Sequence, residues 1–241
     1  MATMALHEVL YRQGFGSRRA CLALAASGAV QVAGAVCTNP HAALDTLGLS
    51  LWVHGEHWPV RTQATVMLHK PAGYECSQRP SAHPSVHSLL PAPLRQRPTR
   101  GQPGVQSVGR LDADTTGLLL LTDDGALLHR LTSPKHQVPK VYQVHTRDPV
   151  DAAVCAALCA GVVLRDDPQP VCAAAAVPTG PHALELTLTQ GKYHQVKRML
   201  AALGNRVVAL HRARVGALTL GDLPPSAWRW VTDDELAQLV V

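Results

Sequence analysis

Four leucines in a row, Leu118 to Leu121, stand between Gly117 and the turn residues Asp123-Asp124-Gly125. An apolar run this short, closed by a turn, reads as a buried strand rather than a helix. The elements alternate from there. A short helix is predicted over Ala126–Leu131, and Lys140–Arg147 alternates as a strand. Asp148-Pro149 reads as a cap plus a first-turn proline opening the next helix. Ala183–Thr189 has a clear period of two, and Gln190-Gly191-Lys192 turns it into a helix from His194 to Leu203, stopped by Gly204. Thr232-x-x-Glu235 is a capping box for a last helix. Many strands and few helices predict an α+β domain on a largely antiparallel sheet.

The first sixty residues read as a separate small module, residues 1–60, joined near Val60–Ala64 to a second domain, 61–241. Leu6, Val9 and Leu10 make a short helical stripe, broken at Gly14-Phe15-Gly16. Ser17 can cap a second helix running to about Ser27, with Gly28 as the stop. Val30-Gln31-Val32 and Leu49–Val53 alternate as short strands. Arg18 and Arg19 fall in the first turn of the second helix, where the macrodipole disfavours cations. They are tolerated there by exposure, or they meet a phosphate. Residues 76–107, rich in Pro, Ser, Arg and Gln, are predicted to be mostly loop.

No apolar run reaches the roughly 18 residues that a membrane span needs. The start of the chain has no basic stretch leading into an apolar one, so no signal peptide is expected and the cytosol is the default compartment. The six cysteines contain no Cys-x-x-Cys pair, so neither a disulfide framework nor a zinc knuckle is expected. No metal site is expected from the thirteen histidines either, none of which falls in a His-Glu-x-x-His pattern. Nothing indicates an oligomer, so a monomer is expected.

The net charge of +5 is unevenly spread. Arg61, Lys70, Arg79, Arg95, Arg97, Arg100 and Arg110 face one acid, Glu75, between 61 and 111. Lys192, Lys197, Arg198, Arg206, Arg212 and Arg214 face none between 186 and 221. Two basic stretches flanking an acidic motif suit a polyphosphate partner.

Three patches carry the candidate chemistry. In Gly109-Arg110-Leu111-Asp112-Ala113-Asp114-Thr115-Thr116-Gly117 a carboxylate, Asp112, projects just before the buried strand, from a rigid edge. Lys140-Val141-Tyr142-Gln143-Val144 presents Tyr142 on the face of Lys140 and Val144. In Gly191–Leu200 the buried stripe is Val196, Met199, Leu200 and Leu203, with His194, Lys197 and Arg198 on a neighbouring face. Lys197 lies beside the stripe, so its stem can pack inward and its ammonium meet a carboxylate. Taken alone, these patches do not separate an RNA enzyme from an acid–base or metal-dependent hydrolase using Asp112, Asp114, Asp123 and Asp124.

Together, Gly-Arg-Leu-Asp with its Thr-Thr-Gly and leucine strand, Lys-x-Tyr-x-Val, and Gly-Lys-x-His-Gln-Val-Lys-Arg-Met resemble the RsuA family of pseudouridine synthases. The likeness runs from Leu6 to Val240 and is strongest at 109–145 and 185–216. Asp112–Gly117, Thr122–Gly125, Thr132–His136 and Leu210-His211-Arg212 are more similar to the members acting on 16S rRNA than to those acting on the large subunit. Gln190, Leu200 and Pro139 depart from the usual family pattern. The N-terminal module is loosely similar to an RNA-binding module shared with a small-subunit ribosomal protein.

The resemblance implies a 16S rRNA pseudouridine synthase, at a uridine-516-type site, needing no cofactor because the isomerisation involves no redox change. It implies that Asp112 is the indispensable carboxylate, adding to the sugar carbon or removing the neighbouring ribose proton. Tyr142 would stack on the flipped base, and Lys197 would pair with Asp112. Arg110 would displace the target nucleotide or hold its phosphate. Lys140, Lys192, His194 and Arg198 would contact the backbone, as would Arg18 and Arg19 from the small module. The implied partner is 16S rRNA, in an assembling small subunit. A 23S rRNA synthase of the same family and a non-catalytic ribosome-assembly protein are the alternatives.

Overall fold

The computed structural model describes residues 3–99, 101–165 and 167–240, so Arg100 lies outside the described residues. The chain forms two compact units. The smaller runs through Thr65 and takes in Leu90–Gln106 and Thr122–Asp124; the larger holds Val66–Leu89, Ser107–Leu121 and the rest from Gly125.

The smaller unit begins with strand β1 (Thr3–Ala5) and helix α1 (Leu6–Gln13), which ends at Gly14 in the left-handed region, φ +90°. A Cβ at Gly14 would come within 2.1 Å of the Pro93 carbonyl oxygen, so only glycine fits. Helix α2 (Arg18–Ala26) starts as expected: the Ser17 hydroxyl accepts the Ala20 amide at 3.2 Å. Strands β2 (Val30–Val32), β3 (Ala35–Val36), β4 (Ala43–Asp45), β5 (Ser50–Val53) and β6 (Glu56–Pro59) follow. β1 pairs with β4, and the others form a sheet in the order β3-β2-β5-β6. Leu6, Leu10, Cys21, Ala25, Val30 and Leu51 are fully buried between helices and strands.

After β7 (Thr65–Lys70), the stretch expected to be loop is more ordered than its composition indicates. A 3-10 turn forms at Val86–Leu89, then come helix α3 (Ala92–Gln96) and strand β8 (Gln106–Ser107). In the larger unit the Glu75 carboxylate accepts the amides of Ser81, Ala82 and His83 at 2.8–3.1 Å. In the smaller unit Arg97, read from sequence as a candidate for RNA contact, is 2% exposed. It donates to Asp123 at 2.5 Å, to Gln13 at 2.9 Å, and to the carbonyls of Arg61 and Thr62 at 2.8 and 3.1 Å. These partners are 26 to 84 residues away in sequence, so local composition could not reveal them.

The leucine run is β9 (Thr116–Thr122), in which Leu118–Leu121 are all at most 1% exposed. It is followed by α4 (Gly125–Thr132), β10 (Lys140–Thr146), α5 (Ala152–Ala160), β11 (Val162–Leu164), β12 (Asp167–Val171), β13 (Ala175–Gly180) and β14 (Ala183–Leu188). Helix α6 (Gln195–Ala202), β15 (Val207–Val215), β16 (Leu218–Thr219), β17 (Trp228–Trp230) and α7 (Asp233–Val240) complete the chain. The main sheet has nine strands in the order β13-β14-β10-β15-β9-β7-β17, with β16 and β8 alongside β15 and β9. β15 and β9 run parallel; the pairs β13–β14, β14–β10, β10–β15 and β7–β17 are antiparallel, so the expected α+β architecture on a mostly antiparallel sheet forms. α5 and α6 pack on one apolar cluster, with Leu158, Met199, Leu200, Leu184 and Leu186 fully buried; α4 and α7 pack on another, around Met67, Leu118 and Leu120. No helix among the described residues is long and apolar enough to cross a membrane.

One predicted start is corrected. α5 is capped by Asp151, whose carboxylate accepts the Val154 amide at 2.9 Å, not by Asp148. The Asp148 backbone is held by Asn205 through both its N–H and its carbonyl, and Val150 donates to Pro181. The chain therefore stays extended past Pro149. The box at α7 does form: Glu235 accepts the Thr232 amide at 2.9 Å and donates its own to the Thr232 hydroxyl at 3.2 Å.

Candidate active site

The segment carrying Asp112 is tied down from both sides. Lys70, at the end of β7, is fully buried, and its ammonium donates to three carbonyls: Pro71 at 3.0 Å, Ala113 at 3.1 Å and Thr115 at 2.8 Å. Three donors on three acceptors satisfy an ammonium that would otherwise be too costly to bury. Burial pushes the Lys70 ammonium below its usual range, with Asp114 and Asp112 opposing that shift. Gly73 donates a further bond to Ala113 at 2.7 Å, and the Leu111 amide reaches the buried Cys76 sulfur at 3.4 Å. Beyond it Gly117, at φ +113°, lets β9 approach β15 so closely that a Cβ would fall 2.3 Å from the Arg212 carbonyl oxygen.

Asp112 therefore stands on rigid backbone, and both its oxygens are engaged. Lys197 of α6 lies 2.9 Å from Oδ2, and His194 Nε2 lies 3.2 Å from Oδ1. His194 is the N-cap of α6 in left-handed conformation, φ 48°, and stacks on Tyr193 with ring centroids 3.8 Å apart. The Lys197 ammonium is shared: it also meets both oxygens of Asp114, at 2.7 and 2.9 Å. Burial alone would lower the Lys197 ammonium, but its bonds to Asp114 and Asp112 outweigh this and raise it above its usual range. Burial would likewise raise Asp114, and the Lys197 bond and charge win, holding it below the carboxylate range.

These groups open onto a pocket of about 840 Å³ lined by Arg110, Asp112, Tyr142, Lys140, Lys197 and Arg212, among others. Tyr142 on β10 sits in register between Leu186 and Arg212. Burial, then the Arg212 charge, lowers the Lys140 ammonium. Arg110 is exposed on the rim. Lys192 also lines the pocket, but its ammonium is paired with Asp167 of β12. Arg198 donates to the Tyr193 carbonyl at 3.0 Å. Arg18 and Arg19 belong to the smaller unit. Arg18 pairs with Glu8 and lies 4.2 Å over the Tyr11 ring, which offsets its position at a helix N-terminus; Arg19 is exposed.

Three neighbours of the site were not read from sequence as part of an RNA-modifying site, Asp114 having been weighed only with the hydrolase carboxylates. Asp114 lies in the same motif as Asp112 and carries the same charge, a signal that was available. Arg212 alternates with Leu210 along β15, so an arginine at an inward position was readable; it is 4% exposed and donates to the Leu118 carbonyl at 2.8 Å. Lys70 ends a run of buried strand residues, Thr65–Leu68, and no local pattern announces its three acceptors. Asp123, weighed with Asp112 as part of a hydrolase constellation, is instead committed to Arg97 and the Ala64 amide. Among the described residues no group of three His, Cys, Asp or Glu is placed to hold a metal ion; His83 and His87, four apart in sequence, form no such group.

A carboxylate held between lysine and histidine, in a pocket with a tyrosine on the neighbouring strand and on a sheet of this order, defines a class: the family model for RNA pseudouridylate synthases matches residues 64–202, and the chain belongs to that family. It is an enzyme of the isomerase type. Among its relatives, ribosomal small subunit pseudouridine synthase A of Pasteurella multocida is 42% identical over 187 residues, 77% of this chain and 78% of that protein. The protein of the same name from Vibrio cholerae is 37% identical over 211 residues, 87% of this chain and 85% of the other. A crystal structure of a pseudouridylate synthase superposes with a TM-score of 0.68 and 33% identity, over 98% of this chain and 99% of that one.

Proposed function

We propose that this enzyme converts one uridine of 16S ribosomal RNA, at the uridine-516-type site, to pseudouridine, with Asp112 as the reactive carboxylate. The observation that carries the reading is Asp112 itself: a carboxylate on clamped backbone, both oxygens held by cationic or donor groups, facing a pocket large enough for a nucleotide. The reaction breaks the glycosidic N–C bond, turns the uracil, and rejoins it through carbon. It needs a group at the sugar and a surface for the freed base. Asp112 acts at the sugar. Tyr142 stacks on the extruded uracil and takes the proton from its carbon at the end. Lys197 orients Asp112, and His194 joins it in that task.

Arg110, exposed on the rim, meets the target nucleotide or its phosphate. Lys140 and Arg198 add backbone contacts, and Lys192 does so by exchanging Asp167 for phosphate. Residues 1–60 act as the RNA-binding module through Arg18 and Arg19, and 61–241 as the catalytic domain. The 16S assignment draws on the names of the relatives, and the substrate is the RNA of an assembling small subunit in the cytoplasm, met by a monomer.

The test treats unmodified 16S rRNA, 23S rRNA and assembling small subunits with the purified protein, and maps pseudouridine by carbodiimide adducts and primer extension. One new stop in 16S material, absent with Asp112→Asn although that variant still binds RNA, is expected. A stop in 23S rRNA overturns the address and keeps the chemistry. Turnover by Asp112→Asn overturns the role of the carboxylate.

A further inference from the structure

We propose that Asp114 is a positioning residue, a second carboxylate that keeps the Lys197 ammonium paired and in place while Asp112 gives up its charge. This rests on the role of Asp112 given above.

The cluster holds two carboxylates for one ammonium. Lys197 makes one contact to Asp112, at 2.9 Å, and two to Asp114, at 2.7 and 2.9 Å. The more exposed partner, with 72% of its side chain open to solvent, thus has the fuller hold. That arrangement matters when the reaction is followed. If Asp112 adds to the sugar carbon, an O–C bond forms as the glycosidic pair leaves on the uracil nitrogen, and the carboxylate becomes a neutral ester. If Asp112 takes the ribose proton, it becomes a neutral acid, and the C–H pair expels the same uracil anion. By either route the negative charge passes from Asp112 to the base.

A Lys197 partnered only by Asp112 would then be a cation with 26% of its side chain exposed and nothing to pair with, free to follow the departing charge. Held by Asp114, it stays where Asp112 needs it when the carboxylate is regenerated. Asp112 can also release its Oδ2 for reaction without stranding the ammonium, whereas its Oδ1 is held by His194.

Two further observations point the same way. The carbonyls on either side of Asp114, those of Ala113 and Thr115, are both bound by Lys70, so this exposed side chain rides on fixed backbone. An acid beside a pocket that must take a polyanion also repels its substrate, and the Lys197 contact supplies a reason for it to be there.

The experiment compares Asp114→Asn, Asp114→Glu and Asp112→Asn as full-length protein, on whichever ribosomal RNA the wild-type enzyme modifies. Single-turnover rate, half-saturating concentration and melting temperature are measured. Asp114→Asn is expected to slow the single-turnover rate roughly ten- to hundredfold, the range typical when a group orienting a reacting one is removed. Half-saturation and melting should stay unchanged, and Asp114→Glu should recover most of the rate. An unchanged rate, an effect confined to half-saturation, or a loss that tracks melting and is not recovered by glutamate overturns the proposal. If Asp112→Asn is inactive while Asp114→Asn behaves as wild type, only this inference fails. If Asp112→Asn turns over, the reading beneath it fails instead.

Discussion

Each unit of the molecule contains an ion cluster built from the same parts, and the two differ in what water can reach. In the smaller unit, Arg97 and Asp123 are 2% and 8% exposed, and the guanidinium is spent on one carboxylate, one amide oxygen and two carbonyls. Its partners come from the end of α1, from the linker at Arg61–Thr62 and from the turn after β9, so it ties three distant segments together. In the larger unit, Lys197 and Asp112 are each about a quarter exposed, and a surplus carboxylate shares the ammonium. In the first cluster every guanidinium nitrogen has a partner, and the ion pair is sealed from water. The second is open to a pocket, and two carboxylates share its one ammonium. Sealing and matching serve stability; exposure and surplus charge serve chemistry.

That contrast can be broken from either side. Arg97→Met leaves Asp123 buried without its cation and should cost about 3–5 kcal/mol of stability. A chemical melt checks this, and molecules still folded should isomerise at the normal rate. Lys197→Met should do the reverse: a loss of about two orders of magnitude in single-turnover rate, near 3 kcal/mol of barrier, with little change in the melt. If Lys197→Met unfolded the protein and Arg97→Met slowed the chemistry, the division between the clusters would be wrong.

A smaller effect comes from a pair of intermediate exposure. The Arg229 hydrogen bonds hold the Glu235 carboxyl down at about 2, against the opposing effect of burial. A depressed folded value means the stabilisation is present above the unfolded value near 4.5 and is lost as pH falls toward 2. Glu235→Gln should therefore melt earlier than wild type at pH 7, by about 1 kcal/mol after solvent screening, and the two melts should converge near pH 2. The smallest change expected is for Asp167→Ala, which frees the partly exposed Lys192 and should leave the melt almost unchanged. If Lys192 does meet phosphate, RNA affinity in that variant should rise slightly at low salt, and fall more steeply as salt increases.

Much of the architecture was readable because its signals are local. Ser17, the leucine run, the alternation at 183–189 and the Thr232–Glu235 box each act within a few residues, and each forms as read. Asp148 carried an equally good local signal and lost to a tertiary one, the Asn205 amide that keeps its backbone extended. Arg97 was misread for the same reason: a proline- and arginine-rich stretch reads as solvated, and its partners are far off in sequence. For the candidate site, the motifs and the family likeness supplied Asp112, Tyr142 and Lys197, and the structure gathers them around one pocket. What the motifs could not supply was the sharing of Lys197 by two carboxylates or the hold of His194 on Asp112. These depend on where the β9 and α6 ends come to lie, which no spacing within either segment specifies.

Lys70 carries a consequence of another kind. Acylating reagents must reach the amine nitrogen, and in the folded protein this one is fully buried and donates to three carbonyls. Of the five lysines it should be the last to be labelled. The rate at which it yields would time the opening of the backbone beneath Asp112, a clock built into the floor of the pocket.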